Sequence, residues 1–269
     1  MSDMSEFLEP AEKELENEFL KNGFVIRSVE NLEALEEIRD SVVEAASVFL
    51  GARSIDQHDF LNHIHRTVSS HELNELRLDV LEKINSSVTM RPRYYSIARS
   101  LLSSLVGNEL AMQKRLNLSI QLPGDDSSLL PIHADVWSGD SPYEAVVWLP
   151  LVDCYSSKSM FLLPPAATKS LHENFSDYSK KSSEDLYQDL KGEFKWIEIK
   201  YGSVLVFNQN LPHGNRVNRE SETRWSLNCR FKSIFSPYGD KKLGEFFSPI
   251  TLRPASKIGM EYKFPKTLR

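Results

Sequence analysis

The chain has only two cysteines, Cys154 and Cys229, in 269 residues. Two thiols cannot build the dense disulfide framework of a small secreted scaffold, so the expectation is a reducing compartment. It has no run near the ~18 consecutive apolar residues that a membrane span requires. The N-terminal stretch MSDMSEFLEPAEKELENEF is acidic and lacks the positive and apolar regions of a signal peptide. Cytoplasmic residence is therefore expected, with no membrane partner. Basic charge is also short: 32 Lys and Arg stand against 38 Asp and Glu, a net charge of −6. Binding to nucleic-acid phosphates needs the opposite balance, so small molecules are the expected partners. Internal repeats and low-complexity segments are missing as well.

What is present is the balance of a globular chain, 41% hydrophobic and 26% charged, enough to bury one sizeable core. A single catalytic domain over 1–269 is expected, with 1–110 mostly helical, a β-rich core at 111–235 and a C-terminal extension at 236–269. The clearest helix is 31–50, where Leu32, Leu35, Ile38, Val42, Ala46 and Phe49 recur at steps of three and four. Asn31 can cap its first turn and Gly51 can close its last. Helices are also expected over 11–20, 59–68, 73–84 and 94–106, with a short strand-like run from Gly23 to Ile26.

From Arg115 onward, short β-prone runs alternate with Pro, Gly, Asp and Ser, the pattern of sandwiches and barrels. They fall at 115–122, around Ile132, and at 144–152, 159–163, 194–200, 203–208, 213–218 and 224–233. Eight such strands, antiparallel in two facing sheets, predict a jelly roll, whose mouth commonly holds a small-molecule or metal site. The polar stretch 166–192 reads as a surface insertion.

Chemistry is concentrated at Pro131-Ile132-His133-Ala134-Asp135. In an extended segment residues i and i+2 share a face, so an imidazole and a carboxylate can converge on one ion. The third candidate ligand is His213, which lies 78 residues after Asp135 and just past the run 203–208. Two histidines and one carboxylate with open positions are the ligand set of non-haem Fe(II) oxygenases. A His-x-Asp pair alone is a weak signal; Arg224-Trp225-Ser226, beginning eleven residues after His213, strengthens it. Arginine and serine alternate onto one strand face, where a guanidinium and a hydroxyl can hold the far carboxylate of a dicarboxylate cosubstrate.

With these residues in place, the sequence resembles the phytanoyl-CoA-hydroxylase-like branch of the Fe(II)/2-oxoglutarate-dependent oxygenase superfamily. Within it, the resemblance is to oxygenases of bacterial carbohydrate-biosynthesis clusters. It spans nearly the whole chain and rests on Phe19-Leu20-Lys21-Asn22-Gly23-Phe24-Val25, His133-Ala134-Asp135, His213 and Arg224-Trp225-Ser226. The resemblance implies a double-stranded β-helix core, a jelly roll of the cupin kind, with Fe(II) on His133, Asp135 and His213, 2-oxoglutarate as cosubstrate clamped by Arg224 and Ser226, and O2 as oxidant. It also implies oxidation of a C–H bond, most often hydroxylation, in a carbohydrate or sugar-nucleotide precursor. A spacing near ten between second histidine and arginine is common in the superfamily, so Arg216 and Arg219 stand as second candidates for the clamp.

Other residues are weaker candidates. Asn117, Ser119 and Gln121 share one strand face, and Asn117 and Gln121 are expected to contact the cosubstrate. Trp137, Tyr143 and Asn215 are candidates for the substrate pocket, with Trp148, Asn228 and Arg230 behind them. His58, His63, His65, His71 and His172 are expected to be solvated, the Arg91–Tyr95 run to be an exposed helix start, and both cysteines to be buried and inert. Two rivals remain: a jelly-roll hydrolase or isomerase using the same triad with another metal such as zinc, and a non-catalytic sugar-binding sandwich. The first has no use for a dicarboxylate clamp, and the second would bind neither iron nor 2-oxoglutarate.

Overall fold

The computed structural model describes residues 7–51, 57–178 and 180–265. Its helices are α1 (Pro10–Asn22), α2 (Leu32–Leu50), α3 (Gln57–His63), α4 (Ser70–Ser86), α5 (Met90–Ser96), α6 (Arg99–Leu105), α7 (Pro165–Glu173), α8 (Phe175–Tyr178), α9 (Ser183–Leu190) and α10 (Pro254–Glu261). The strands are β1 (Phe24–Ser28), β2 (Leu110–Gln113), β3 (Asn117–Gln121), β4 (Glu144–Pro150), β5 (Phe161–Leu162), β6 (Lys195–Trp196), β7 (Ser203–Asn208), β8 (His213–Gly214), β9 (Arg224–Ser233) and β10 (Phe247–Pro249). No described helix is long and apolar enough to cross a membrane.

Two antiparallel sheets face each other in a jelly roll. The larger runs β1-β7-β4-β9-β2-β10, with β3 also paired to β9, and the smaller runs β6-β5-β8. A bridge between His133 and His213 extends the smaller sheet by one rung. The ten residues of β9 are central because they pair with three strands: β3 along the first half, β2 along the second and β4 on the other edge. Its alternation sorts the molecule into two sides. Trp225, Leu227, Cys229 and Phe231 are fully buried and face the helical layer. There the Trp225 indole donates to the Leu61 carbonyl (2.9 Å), and the Tyr94 hydroxyl lies 2.9 Å from the carbonyl of Val147 on the adjoining strand. Arg224, Ser226, Asn228 and Arg230 take the other side.

The helical layer forms as its sequence predicts. Asn31 accepts from the Ala34 N–H (3.0 Å), and Gly51 closes α2 at φ 66°. Leu35, Ile38, Val42 and Ala46 turn one apolar face inward against α4, which buries Leu73, Leu76, Val80 and Ile84 in reply.

Several boundaries differ from expectation for identifiable reasons. The 94–106 helix is two helices, α5 and α6, separated at Ile97-Ala98, and 59–68 becomes α3 followed by a 3-10 turn at Ile64–Arg66. Strands β2 and β10 lie outside the expected set, because their runs are short and carry no alternation. The expected strands 159–163, 194–200 and 213–218 shrink to two residues each. The insertion at 166–192 is largely helical, and it is not only surface. Leu171 and Leu186 are buried with Phe161, around whose ring Tyr187, Phe194 and Trp196 pack at 5.3, 4.5 and 5.4 Å. This aromatic cluster fastens the insertion to the smaller sheet.

Candidate metal centre and cosubstrate pocket

The structure brings His133, Asp135 and His213 together, their candidate ligand atoms all within 4.8 Å of one another. Two backbone bonds set the histidines face to face: His133 N–H to the His213 carbonyl (3.0 Å) and the reverse (2.8 Å). Each imidazole is then oriented in the same way. Nδ1 of His133 lies 2.9 Å from the Pro131 carbonyl and Nδ1 of His213 lies 2.9 Å from the Leu211 carbonyl. A carbonyl can only accept, so Nδ1 carries the proton in both rings and both Nε2 lone pairs are left for a metal. Asp135 begins the 3-10 turn Asp135–Ser138, held there by its N–H to the Gln209 carbonyl (3.3 Å). Its Oδ1 stands 3.7 Å from His133 Nε2.

The protonation states suit a metal. Burial, with the neighbouring His133, pushes the His213 imidazole down to about 4, so it is neutral at physiological pH. For Asp135, burial works to raise the carboxyl. Attraction to Arg230 and to both histidines outweighs it, and the carboxyl sits below its ordinary value. Arg230 supplies the firmest contact, with Nη2 2.8 Å and Nε 3.3 Å from Asp135 Oδ2. Nε also reaches Gln209 Oε1 (3.1 Å), and Gln209 in turn donates to the Ser141 carbonyl and to Glu144. The Asp135 carboxylate is thus fixed from behind, with Oδ1 directed at the histidines.

The triad opens onto a cavity of about 560 Å³ between the two sheets and α4. Arg224 lies in its wall, 2% exposed, and burial pulls its guanidinium down to about 10. Nη1 donates to the Ser159 carbonyl (2.8 Å) and Nη2 to Ser119 Oγ (2.7 Å). Nε has no partner, and neither has the buried hydroxyl of Ser226 two residues along the same face. Among the described residues no carboxylate pairs with Arg224. A buried cation without an anion is costly unless a ligand supplies one. The orphaned Arg224 Nε in the cavity wall therefore fits the far carboxylate of a dicarboxylate, and two imidazole Nε2 atoms with one carboxylate oxygen fit a divalent iron; Ser226, expected to share the clamp, is fully buried and lies behind the lining rather than in it.

A chain of amides runs beneath this site. The Arg230 backbone N–H donates to Gln113 Oε1 (3.3 Å), which leaves Gln113 Nε2 as the donor to Asn117 Oδ1 (3.3 Å). Asn117 Nδ2 then donates to Asn228 Oδ1 (2.9 Å). Because the backbone N–H can only donate, the direction of the chain is fixed. Asn228 ends it, and it is one of the residues that line the cavity.

Other expected site residues are placed differently. Gln121 is buried but does not line the cavity; its amide donates to the Arg216 carbonyl, because it lies at the deep end of β3, opposite Arg224. Trp137, 37% exposed, also lies outside the lining. The 3-10 turn after Asp135 rotates it toward Phe175 and His172, at 5.3 and 6.5 Å between ring centroids. Tyr143 is 58% exposed and outside it too. Asn215 does line the cavity, yet its side chain is committed to the loop before His133. It accepts from the Leu130 N–H (2.7 Å) and donates to the Ser128 carbonyl (3.4 Å). Arg216 pairs with Glu184 and Arg219 is exposed, which leaves Arg224 as the clamp candidate.

Two further expectations are corrected. His65 is half-buried against Thr223 Oγ1 (3.0 Å) where a solvated ring was expected. Arg91 ties α5 to β2 and β10 through the Met112 and Gln113 carbonyls and Ser248 Oγ. The His58 side chain lies outside the described residues. Arg230 was expected only as a weaker pocket candidate; its contact with Asp135 was not, although its position six residues after Arg224 on a strand puts both on one face.

No protein-family model and no curated protein matches the chain; solved structures do. It superposes on the non-heme monooxygenase ThoJ in its nickel complex with a TM-score of 0.51 and 17% identity, over 89% of this chain and 83% of that one. The chain shares the fold of a non-heme monooxygenase. HygX from Streptomyces hygroscopicus, with nickel and 2-oxoglutarate bound, matches with a TM-score of 0.52 and 13% identity over 86% of this chain and 90% of that one. EctD from S. alaskensis, in its apoform, matches with a TM-score of 0.56 and 14% identity over 88% and 81%.

Proposed function

We propose that the protein is an Fe(II)- and 2-oxoglutarate-dependent dioxygenase acting in the cytoplasm. Its reaction is the hydroxylation of a small molecule, of the carbohydrate or sugar-nucleotide class that the sequence resemblance implies. The observation that carries this reading is Arg224, a buried guanidinium with no carboxylate partner among the described residues, in the wall of the cavity onto which the His133–Asp135–His213 triad opens. A hydrolase or isomerase has no need of that cation, and a sugar-binding sandwich has no need of two imidazoles poised with free Nε2 atoms. HygX, similar in fold, holds nickel and 2-oxoglutarate, which supports the same pairing here.

In this reading Nε2 of His133, Nε2 of His213 and Oδ1 of Asp135 hold the iron. Arg224, with Ser226, binds the distal carboxylate of 2-oxoglutarate and so fixes which end faces the metal. When bound, Fe(II) with 2-oxoglutarate and O2 supplies the oxidising power for attack on a C–H bond, with succinate and CO2 as by-products. Arg230 keeps Asp135 ionised and aimed, and the Pro131 and Leu211 carbonyls keep the imidazoles in the liganding tautomer. The apolar walls, among them Met160, Phe207 and Val146, limit water around the reacting carbon.

Anaerobic addition of Fe(II) and then 2-oxoglutarate, followed in the visible, tests this. Wild type is expected to show a metal-to-ligand charge-transfer band, His213→Ala none, and Arg224→Ala the band only at far higher 2-oxoglutarate. A wild type that shows no band but binds Zn(II) tightly overturns the reading in favour of the hydrolase or isomerase.

A further inference from the structure

Helix α4 forms one wall of the cavity through a polar stripe, Ser70, Asn74 and Arg77, at helical steps of four and three. Its core side, Leu73, Leu76, Val80 and Ile84, is buried, so the stripe is held in place by packing rather than free to turn away. Arg77 is half-buried, and its Nη2 donates to Asn74 Oδ1 at 2.6 Å. Among the described residues no carboxylate pairs with it. Most of its five N–H donors are therefore open to a ligand.

The charges around the cavity isolate this group. Among the described residues its cationic side chains are Arg77, Arg224 and Arg230, and Asp135 is the one carboxylate in its lining. Arg230 is bound to Asp135, and Arg224 has the geometry for the cosubstrate. Arg77 remains as a cation for which no described residue provides a counter-ion. A neutral ligand covering it would strip water from the guanidinium and return nothing of equal strength, whereas an oxyanion can accept from it in bidentate fashion. Asn228, whose Oδ1 already accepts from Asn117, lines the same cavity.

We propose that Arg77 receives an oxyanion carried by the substrate, so that the substrate class is a small molecule bearing a carboxylate or a phosphate group. The proposal rests on the oxygenase reading of this cavity and adds to it the charge of the substrate and the end by which it is held. Arg77 acts as a specificity residue: it selects the anion and thereby sets which carbon is presented to the metal.

The test uses the full chain loaded with Ni(II) and 2-oxoglutarate, probed separately with inorganic phosphate by 31P NMR and with 13C-labelled acetate by 13C NMR. Paramagnetic broadening of a probe marks binding near the metal. Wild type is expected to broaden at least one probe saturably; phosphate alone indicates a phosphorylated substrate and acetate alone a carboxylate. Arg77→Gln is expected to weaken that binding about tenfold or more, and Arg77→Lys to retain part of it, with an unchanged thermal midpoint showing that each variant is folded. Equal broadening in wild type and Arg77→Gln, or none in wild type, overturns the assignment. Failure of the wild type to take up Ni(II) is a separate result, and it overturns the underlying metal-site reading instead.

Discussion

Arg230 holds the Asp135 carboxylate by Oδ2 at 2.8 Å, so the other oxygen is the one that faces the two histidines. The candidate metal ligand therefore has a fixed orientation without any metal. Removing such a support typically costs 10–100-fold in metal affinity. Arg230→Gln is expected to weaken Fe(II) or Ni(II) binding by about that factor, read by competition with a chelating dye. Arg230→Lys should recover little, since an ammonium cannot reach Asp135 and Gln209 together. Unchanged affinity in both variants would show that Asp135 orients itself.

The clamp makes a separate prediction. Charge-assisted hydrogen bonds contribute about 1.5–3 kcal/mol each, which at 1.4 kcal/mol per factor of ten is roughly 10–100-fold in affinity. Ser226→Ala is expected to weaken 2-oxoglutarate binding within that range while leaving Ni(II) affinity as it was. Isothermal titration of the nickel-loaded protein reads both quantities, and a loss of nickel binding would move Ser226 from the clamp to the metal site.

Gly214 follows the second histidine where two backbones approach closely. A Cβ there would lie 2.6 Å from the Leu130 carbonyl oxygen, 3.0 Å from Phe161 and 3.2 Å from Pro131. Gly214→Ala must displace the segment that carries His133. Overpacking of this kind costs about 1–3 kcal/mol. The variant is expected to melt several degrees lower and to bind metal at least about tenfold more weakly, by scanning fluorimetry and nickel titration.

The amide chain predicts a stability effect away from the metal. Gln113→Leu leaves the Arg230 N–H and the Asn117 carbonyl oxygen without partners, a cost of about 1–3 kcal/mol. For a chain of this size that corresponds to a fall of roughly 2–10 °C in Tm. A Tm equal to wild type would show that the chain of amides carries no strength.

Burial pushes both thiols, Cys154 and Cys229, up to about 12. At pH 8 roughly one molecule in ten thousand then carries a thiolate at either position. A disulfide reagent such as DTNB is expected to find no fast thiol in the native protein and two once it is denatured. A rapid thiol in the native state would contradict the burial of Cys229 on β9 or of Cys154 beside Ile199.

The sequence made the triad legible because the His-x-Asp spacing and the 3.6 and 2 periodicities are local signals. Asn31 and Gly51 announced α2 for the same reason. Position within a sheet is not local. Gln121 and Ser119 alternate identically, yet only Ser119 lines the cavity, because depth along β3 depends on its pairing with β9. Trp137 was misplaced by treating Asp135 as mid-strand when a turn begins there. The wall formed by α4 could not be read at all, since a polar stripe on a helix looks the same facing a cavity or open water.

His133 and His213 meet through a single bridge at the margin of the smaller sheet, whereas Arg224 lies on the most extensively paired strand in the molecule. The two halves of the site therefore differ in mechanical grade. One is a clasp of short segments that a metal ion would fasten like a rivet, and the other is part of the frame. Without metal, the protein is expected to slacken first along 130–135 and 211–215 while the proposed cosubstrate anchor at Arg224 holds its shape, so that loss of a bound metal would idle the machine without dismantling it.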